Sequence, residues 1–355
     1  KIIALAVAGL VSGAAFAQTN VTVYGIADVA WEYYGKAQGD LKSTNKISDG
    51  GQDASRVGFK GTEDLGNGLS AFFQLEQRFN LDATGVSGRN SNVGLTSKSW
   101  GTVKLGSFGH PLDDYNGYSE AGGMGYGNGV IGQIMIADVH NGIEYISPNM
   151  SGLEAKVGYS TSMVTEDPAI QFKGAGDDGS DFQAVKAYFA SLAYANGPIK
   201  AALVYDHEKP ANQDFNNMKS NEWLINGSYN FGPVAVGAGY DQYKATDGGE
   251  WLKRKAWRIN VGAPITANDT VALSYSRVKI TDSDDFSGKA SGWGLSYSHA
   301  LSKRTNIYAT YGQMSQSSDL EQSEYSQAWN STLNNNTGEF DGYESAFKVG
   351  MRHFF

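Results

Sequence analysis

The chain has 355 residues, of which 18% are charged, with a formal net charge of −9, 45 glycines, 20 tyrosines and no cysteine. The absence of cysteine excludes disulfide frameworks, thiolate zinc sites and thiol nucleophiles. The acidic balance argues against a nucleic-acid partner, which would favour a basic surface.

The first predicted element is a secretory signal peptide at residues 1–17. Lys1 precedes an apolar run, and small residues then lead to Ala15-Phe16-Ala17, which has the A-x-A form of a cleavage site. An N-terminal membrane anchor is the alternative, but the apolar run is shorter than the roughly 20 residues that span a bilayer. We therefore expect a cleaved signal peptide at 1–17 and one barrel domain at 18–355, with Gln18 as the first mature residue.

The rest of the chain is dominated by period-two hydrophobicity, which predicts strands with one apolar and one polar face. Near the C-terminus, Phe347, Val349 and Met351 alternate with Lys348 and Gly350. The same alternation recurs in the segments 153–160, 199–206, 234–241 and 257–263. No segment after the signal is a continuous apolar run long enough for a transmembrane helix, and the mean hydropathy of −0.37 agrees.

These strands predict an all-β fold, a 16-stranded antiparallel transmembrane β-barrel. A soluble sandwich would bury the apolar faces against each other, whereas a membrane barrel turns them to lipid and lines its interior with the polar faces. Aromatic residues at strand ends, such as Tyr159, Tyr205 and Phe355, suit the interfacial girdles. The predicted strands are 21–34, 55–63, 68–80, 89–97, 102–108, 140–147, 153–162, 185–196, 199–209, 221–231, 234–245, 255–264, 270–281, 289–300, 305–316 and 343–355.

The predicted connections alternate between short turns and long polar segments. The longest cover 109–139, 163–184 and 317–342. Short periplasmic turns and long external loops are typical of such barrels, and an even strand number places both termini on the periplasmic side.

Several motifs resemble the general diffusion porins of Gram-negative bacteria, in particular the branch with the neisserial and related porins. The resemblance runs from Gln18 to the C-terminus. The strongest motif is the segment 56–69, RVGFKGTEDLGNGL, which continues to Glu76. Other matching pieces are Val21-Thr22-Val23-Tyr24-Gly25, residues 142–149 and the terminal residues 349–355.

The resemblance implies a homotrimer of barrels in which the third external loop folds inward and narrows the pore. In this chain that loop would lie between about 108 and 139 and carry Asp113, Asp114 and Glu120. A basic cluster on the facing wall would include Arg56 and Arg89. The terminal Phe355 would act as the assembly signal that the barrel-assembly machinery recognises, and outer-membrane lipid and lipopolysaccharide would surround the barrel.

Strand alternation independently places Lys60, Arg78 and Lys104 on the lumen side, because their sequence neighbours are apolar. For Arg89 the alternation is ambiguous, since simple alternation puts it on the same strand face as the apolar Val93 and Leu95. Each of these charges has an alternative interpretation as an ordinary solvated side chain.

Two departures from the family pattern make the wall less positive. Ile26 stands where many relatives have a basic residue, and Asp138 stands where an arginine often joins the cluster. Together with the acidic net charge, they predict a weak preference for cations.

The predicted function is passive diffusion of small hydrophilic solutes and ions through a water-filled channel. The alternative is a substrate-specific channel for a sugar or oligosaccharide, which would need aromatic side chains in the lumen. Trp223, Trp257 and Trp293 fall on apolar faces, while Trp251 and Trp329 are predicted in loops. An outer-membrane enzyme is a third class, but no catalytic constellation can be identified.

No cofactor or metal is predicted. The G-x-G-x-x-G pattern at 127–132 lacks a surrounding strand–helix unit, and the five histidines lack metal-ligand spacing. Acidic loop segments at 177–178 and 282–285 could bind divalent cations, although solvated loop charge is the simpler interpretation.

Overall fold

In the computed structural model of the protein, the residues described are 20–37, 42–120, 138–163, 185–210, 218–317 and 343–355. Within these ranges the chain forms seventeen strands and one α-helix, α1, Pro111–Asn116, which a 3₁₀ turn at Gly117–Ser119 extends. The strands are β1 (Asn20–Ala37), β2 (Thr44–Asp49), β3 (Arg56–Gly66), β4 (Leu69–Phe79), β5 (Val86–Ser97), β6 (Gly101–Gly109), β7 (Asp138–Ile146), β8 (Leu153–Met163), β9 (Val185–Asn196), β10 (Ile199–Pro210), β11 (Lys219–Asn230), β12 (Ala235–Asp247), β13 (Glu250–Pro264), β14 (Asp269–Asp282), β15 (Ser287–Ala300), β16 (Thr305–Gln316) and β17 (Tyr343–Phe354).

The strands form one closed antiparallel barrel. From β3 to β17 each strand pairs with its neighbour in the chain, and β1 pairs with β17 to close the sheet. The lower half of β1 pairs with β3 and the upper half with β2, so β2 and β3 occupy one position in the barrel. The closed sheet therefore has sixteen strand positions, which confirms the predicted strand number and fold class.

Residues 50–55 connect β2 to β3 and fold towards the barrel interior. The backbone N–H groups of Gln52 and Asp53 each donate to the Asp28 carboxylate at 2.8 Å. Arg352 on β17 bonds to the Asp53 carboxylate, and Lys348 donates to the carbonyl oxygen of Gly51 at 3.0 Å. The predicted strands 21–34 and 55–63 leave residues 35–54 as a connection. That prediction was wrong for Thr44–Asp49, which forms the polar strand β2.

Burial alternates along the strands as the sequence pattern predicts. On β13 the side chains of Arg254, Arg258 and Asn260 are buried, while Trp257 and Ile259 are exposed. In a single barrel the outward face lies open and the inward face is crowded by opposite walls and loops, so the polar residues face the lumen. Among the residues described, no helix is long and apolar enough to cross a membrane.

A belt of aromatic side chains runs around the outer face of the barrel. Its ring pairs have centroids 4.4–5.4 Å apart: Tyr159 with Tyr188, Tyr205 with Trp223, Trp257 with Tyr275, and Trp293 with Tyr311. Such belts mark membrane–water interfaces. The prediction of Trp251 in a loop was wrong, because β13 begins at Glu250, and Trp329 lies outside the described residues.

The C-terminal residue completes the ring of strands. Phe355 donates its N–H to the Gly25 carbonyl at 3.1 Å and accepts from the Gly25 N–H at 3.0 Å. Its ring packs so closely on Gly25 that a Cβ there would meet it at 2.3 Å. Gly25 is therefore small because Phe355 approaches it.

Deleting Phe355 is expected to lower the yield of folded barrel, because two closing hydrogen bonds worth about 1 kcal/mol each are lost with the ring contact. The Phe355→Ala variant keeps the backbone bonds and removes only the ring, so it separates the two contributions. Heat-modifiable mobility on gels measures the folded fraction. An unchanged folded fraction after deletion would show that closure does not depend on this residue.

Candidate pore constriction

Three arginines form a basic row on the inner wall of β3, β4 and β5. Arg56 lies directly opposite Arg78 in the register between β3 and β4. Each arginine has a carboxylate partner, on the wall for Arg78 and Arg89 and in the inward segment 50–55 for Arg56. Arg56 lies 3.8 Å from Asp53, Arg78 lies 3.7 Å from Asp49, and Arg89 lies 3.2 Å from Glu76. The row is therefore locally compensated and not a bare positive surface.

Arg89 faces inward because of a register shift between β4 and β5. Leu75 pairs with Ser91 but Gln77 pairs with Gly88, so two residues of β5 oppose the single Glu76. The additional residue reverses the alternation, as a β-bulge does. This bulge explains how Arg89 reaches the lumen although it has the parity of the outward Val93.

Lys60 and Lys104 lie on the inner wall away from the arginine row. Lys60 is four residues from Arg56, about 13 Å along a strand, and its ammonium lies 4.9 Å from the centre of the Tyr24 ring. Lys104 bonds to Glu144 at 2.8 Å and lies 4.3 Å from the centre of the Phe108 ring. Both positions line the lumen, but only Lys104 lies at the base of the third external connection.

His110 fixes the start of that connection to the opposite wall. Its Nδ1 accepts from the backbone N–H of Leu112 at 3.2 Å and caps α1. Its Nε2 lies 3.0 Å from the Asp206 carboxylate on β10. Because Nδ1 accepts, the proton is assigned to Nε2, which donates to Asp206. The buried ring also packs against Phe189, with centroids 4.8 Å apart.

No local sequence pattern predicts this anchor, although a signal for the helix is present. Pro111 occupies the first helical position, where its missing N–H costs nothing. Asp113 and Asp114 follow in the first turn, where negative charge complements the helix dipole. These features predict a helix start at His110, but the partner Asp206 is 96 residues away.

The helix and the 3₁₀ turn lie against lumen-facing side chains of β11 and β13. Asn226 donates to the Tyr115 carbonyl at 2.7 Å, and Arg258 donates to the Asn116 carbonyl at 2.8 Å. Asn260 donates to the Ser119 carbonyl at 2.9 Å. Residues 111–119 are thus on the inner side of the sheet, while 121–137 lie outside the described residues.

The 3₁₀ turn approaches the backbone of β12 very closely. A Cβ at Gly237 would lie 1.9 Å from the Ser119 carbonyl oxygen, which is far inside contact distance. Only glycine therefore lets the loop backbone touch this part of the wall.

The four predicted acidic residues take different positions. Asp114 accepts from Lys156 on β8 at 2.6 Å. Glu120 caps the end of the 3₁₀ turn, where its backbone N–H donates to the Gly117 carbonyl. Asp138 begins β7 opposite Gly109, and Asp113 lies close enough to Asp138 and Arg89 for both to affect its ionisation.

Asp113 has an unusual titration for a carboxyl that is open to lumen water. Desolvation by the surrounding barrel, followed by repulsion from Asp114 and Asp138, raises its pKa to about 6. Arg89 and His110 act in the opposite direction. Part of the Asp113 surface is exposed, so its desolvation comes from the protein that surrounds the lumen and not only from atoms in direct contact.

The arrangement therefore brings Arg56, Arg78 and Arg89 together on one wall, with Asp113 within electrostatic range of both Arg89 and Asp138. Lys60 lies further along the wall, and Lys156 joins the site as a further cation that was not predicted from the sequence. Within the described residues, no group of three or more His, Cys, Asp or Glu side chains could hold a metal ion.

Comparison with known proteins gives a consistent result. The family model described as Gram-negative porin matches residues 4–319. An outer membrane porin protein of Bordetella pertussis is 32% identical, with 85% of this chain and 90% of that protein covered. Outer membrane porin protein 32 of Delftia acidovorans is 34% identical, and the match covers 87% of each chain.

The solved structures include an anion-selective porin from Comamonas acidovorans. It has a TM-score of 0.71 and 27% sequence identity, and the match covers 95% of this chain and 100% of that one. The fold, the lumen and the matched sequence agree that the molecule is a channel rather than an enzyme. The chain belongs to the Gram-negative porin family and is an integral β-barrel channel of the outer membrane.

Proposed function

We propose that the channel selects small hydrophilic solutes at a constriction between residues 110–120 and the arginine row on β3, β4 and β5. The observation that carries this proposal is the inward position of α1, which the wall residues Asn226, Arg258 and Asn260 hold by hydrogen bonds. Acidic and basic groups then face each other across water, and the resulting field orients dipolar solutes. Apolar solutes are disfavoured because they would displace ordered water.

General diffusion differs from a substrate-specific channel in its response to sugars. Trp223, Trp257 and Trp293 are 46%, 39% and 37% exposed on the outer face, so they do not offer a stacking track in the lumen. We therefore expect no blockade when maltose or maltotriose is added to a single channel in a planar bilayer. Concentration-dependent closures at millimolar sugar would instead support the specific-channel alternative.

Charge balance at the constriction is proposed to give weak ion selectivity. The anion-selective porin from Comamonas acidovorans is a relative by fold and sequence, but this chain has Asp138 and Ile26 at the two positions where the family resemblance suggests basic residues. The structure pairs each arginine of the row with a carboxylate. These pairs reduce the net positive charge that an anion would meet.

The channel is proposed to assemble as a homotrimer. A trimer form is known for the Vibrio cholerae OmpT structure, which shares the fold at 14% identity. Here the outer faces of β1, β3 and β4 expose Val21, Val23, Phe59 and Leu75. Unboiled protein in mild detergent should therefore migrate near three times the monomer mass. A Val23→Lys variant should weaken that band, and a strictly monomeric wild type would contradict the proposal.

A further inference from the structure

The second barrel position contains more chain than the sheet needs. Asp49, the last residue of β2, lies opposite Val29 of β1. Arg56, the first residue of β3, lies opposite Ile26 of β1. Two residues of β1 separate these partners, and a regular antiparallel strand would match them with two residues of its own. The chain has six there, residues 50–55, so four of them are additional.

The two ends of the segment 50–55 remain bonded to the sheet. The Gly50 N–H donates to the Asp28 carbonyl at 2.9 Å, and the Asp28 N–H donates to the Ser55 hydroxyl at 2.9 Å. Gly50 has a φ of +75°, which lets the chain leave the strand at this point. Gly50 and Ser55 thus take the places of the two regular residues, and residues 51–54, called the inward turn below, are the additional ones.

A buried carboxylate holds the inward turn on the lumen side of the wall. Asp28 is fully buried on the inner face of β1. Its carboxylate accepts the backbone N–H groups of Gln52 and Asp53 at 2.8 Å and the Tyr308 hydroxyl at 2.6 Å. Hydrogen bonds to an ionised group are roughly twice as strong as those between neutral groups. The inward turn therefore has a fixed position.

Two cations of β17 also bond to the inward turn. Lys348 donates to the Gly51 carbonyl at 3.0 Å, and Arg352 bonds to the Asp53 carboxylate. Both cations are buried, whereas Asp53 is partly exposed to the lumen. Arg56 lies 3.8 Å from the same carboxylate. The inward turn thus covers two cations of the wall and places a carboxylate between Arg56 and Arg352.

The inward turn lies across the lumen from α1. Because β2 and β3 share one position, β10 stands eight positions from β1 in the ring of sixteen strands. The third connection is fixed to β10 through Asp206, whereas the inward turn is fixed to β1. Both elements meet the arginine row, because Arg56 donates to the Ala54 carbonyl at 3.1 Å and Asp113 of α1 lies within electrostatic range of Arg89.

We infer that the inward turn is a second selectivity element, which limits the width of the pore opposite α1 and through Asp53 lowers its preference for anions. The inference rests on the proposed constriction and adds the residues that limit it on the facing wall. Four additional residues on the lumen side reduce the cross-section open to hydrated solutes. An anion near Arg56 and Arg352 also meets the Asp53 carboxylate, which reduces its attraction to the wall.

The first test deletes residues 51–54 from the full-length protein and leaves Gly50 and Ser55 as a regular strand. The matched control deletes residues 82–85 from the exposed connection 80–85 between β4 and β5, which likewise keeps two of six residues. Each deletion removes one glycine, one alanine and one aspartate among its four residues. Single-channel conductance is measured in planar bilayers, and proteoliposome swelling is measured with glucose and sucrose.

Deletion of the inward turn should raise the conductance, and it should raise the swelling rate with sucrose more than that with glucose. A wider gap favours the larger solute more, and the control should keep the wild-type values. Unchanged conductance in the folded variant would overturn the inference. If Gly237→Ala still lowers the conductance in that case, the proposed constriction at α1 stands without the inward turn. If neither variant changes the conductance, the proposed constriction itself is wrong.

The second test removes the charge of the inward turn and keeps its size. Asp53→Asn retains the backbone N–H that donates to Asp28, and Asp82→Asn in the exposed connection is the matched control. One unit charge about 4 Å from the ion path in water changes a permeability ratio by roughly fivefold. We therefore expect Asp53→Asn to shift the reversal potential in a KCl gradient by about that factor towards anions. No shift, or an equal shift in the control, would contradict the role of Asp53.

If the deletion variant does not fold, Gly51→Ala tests the inward turn in the opposite direction. A Cβ on Gly51 would lie 1.9 Å from the Tyr308 hydroxyl and 2.9 Å from the Cβ of Ala30. The wall therefore blocks movement outward, and the inward turn must move further into the lumen. The conductance should fall, and a folded Gly51→Ala protein with wild-type or higher conductance would overturn the inference.

Discussion

Replacing Gly237 with alanine is expected to lower the single-channel conductance of the porin. The new Cβ would lie 1.9 Å from the Ser119 carbonyl oxygen, so the loop backbone must move about 1.5 Å to reach ordinary contact. The wall blocks movement outward, and the loop must therefore move into the lumen. Overpacking of this kind costs about 1–3 kcal/mol, and the bond from Asn260 to Ser119 is weakened as well.

The Gly117→Ala variant is the matched control. It adds the same methyl group to the loop itself, where the nearest atom is the Glu120 carboxylate at an ordinary 3.8 Å. Conductance in a planar bilayer and melting temperature are measured for both variants. A wild-type conductance in a folded Gly237→Ala protein would show that residues 117–119 do not limit the pore.

Period two was sufficient to predict most of the barrel, because each strand has one face towards lipid and one towards water. It failed where this rule does not apply. Strand β2, Thr44–Asp49, has a single large apolar residue, Ile47, on its outer face, so its sequence looks like a loop. Its position became clear only from pairing with β1, which no local pattern contains.

Arg89 shows the same limit at the level of one residue. Simple alternation gave it the parity of Val93 and Leu95, and the family resemblance alone placed it inward. The bulge opposite Glu76 provides the physical reason. Because an additional residue in one strand depends on the register of its neighbour, a bulge cannot be read from the alternation of a single strand.

The contacts between the third connection and the barrel wall could not be predicted from the sequence. The third connection was predicted with its acidic residues, yet its anchors are Asp206, Asn226, Arg258 and Asn260. Each of these is an inward polar residue on a strand, indistinguishable by pattern from any other lumen residue. Long-range contacts between a loop and a wall require the closed barrel to be known first.

We expect the channel to be weakly selective for cations. Arg78 and Arg89 are each compensated by a wall carboxylate, and Arg56 shares Asp53 with Arg352. Asp114 is compensated by Lys156. Asp113 and Asp138 form no ion pair within the described residues. The uncompensated charge near the arginine row is thus negative. Reversal potentials in a KCl gradient measure the preference directly.

Changing Asp138 to arginine should reverse the sign of selectivity. An ion that passes about 4 Å from a unit charge in water interacts with it by about 1 kcal/mol, which corresponds to roughly fivefold in permeability ratio. The substitution changes the local charge by two units, so we expect a shift of about tenfold or more towards anions at low salt. Screening over about 8 Å at physiological ionic strength should reduce it. A Lys60→Gln variant, away from this cluster, should shift the ratio much less.

The preference should also depend on pH through Asp113. Because its pKa is raised to about 6, the carboxylate is mostly ionised at neutral pH and gains a proton as the pH falls through about 6. The negative charge at the proposed constriction then decreases, so cation preference should weaken between about pH 7 and pH 5. The part of the shift that remains in Asp113→Asn is the contribution of all other groups. An identical pH dependence in Asp113→Asn and wild type would show that Asp113 does not line the permeation path. An unchanged reversal potential in Asp138→Arg would show the same for Asp138.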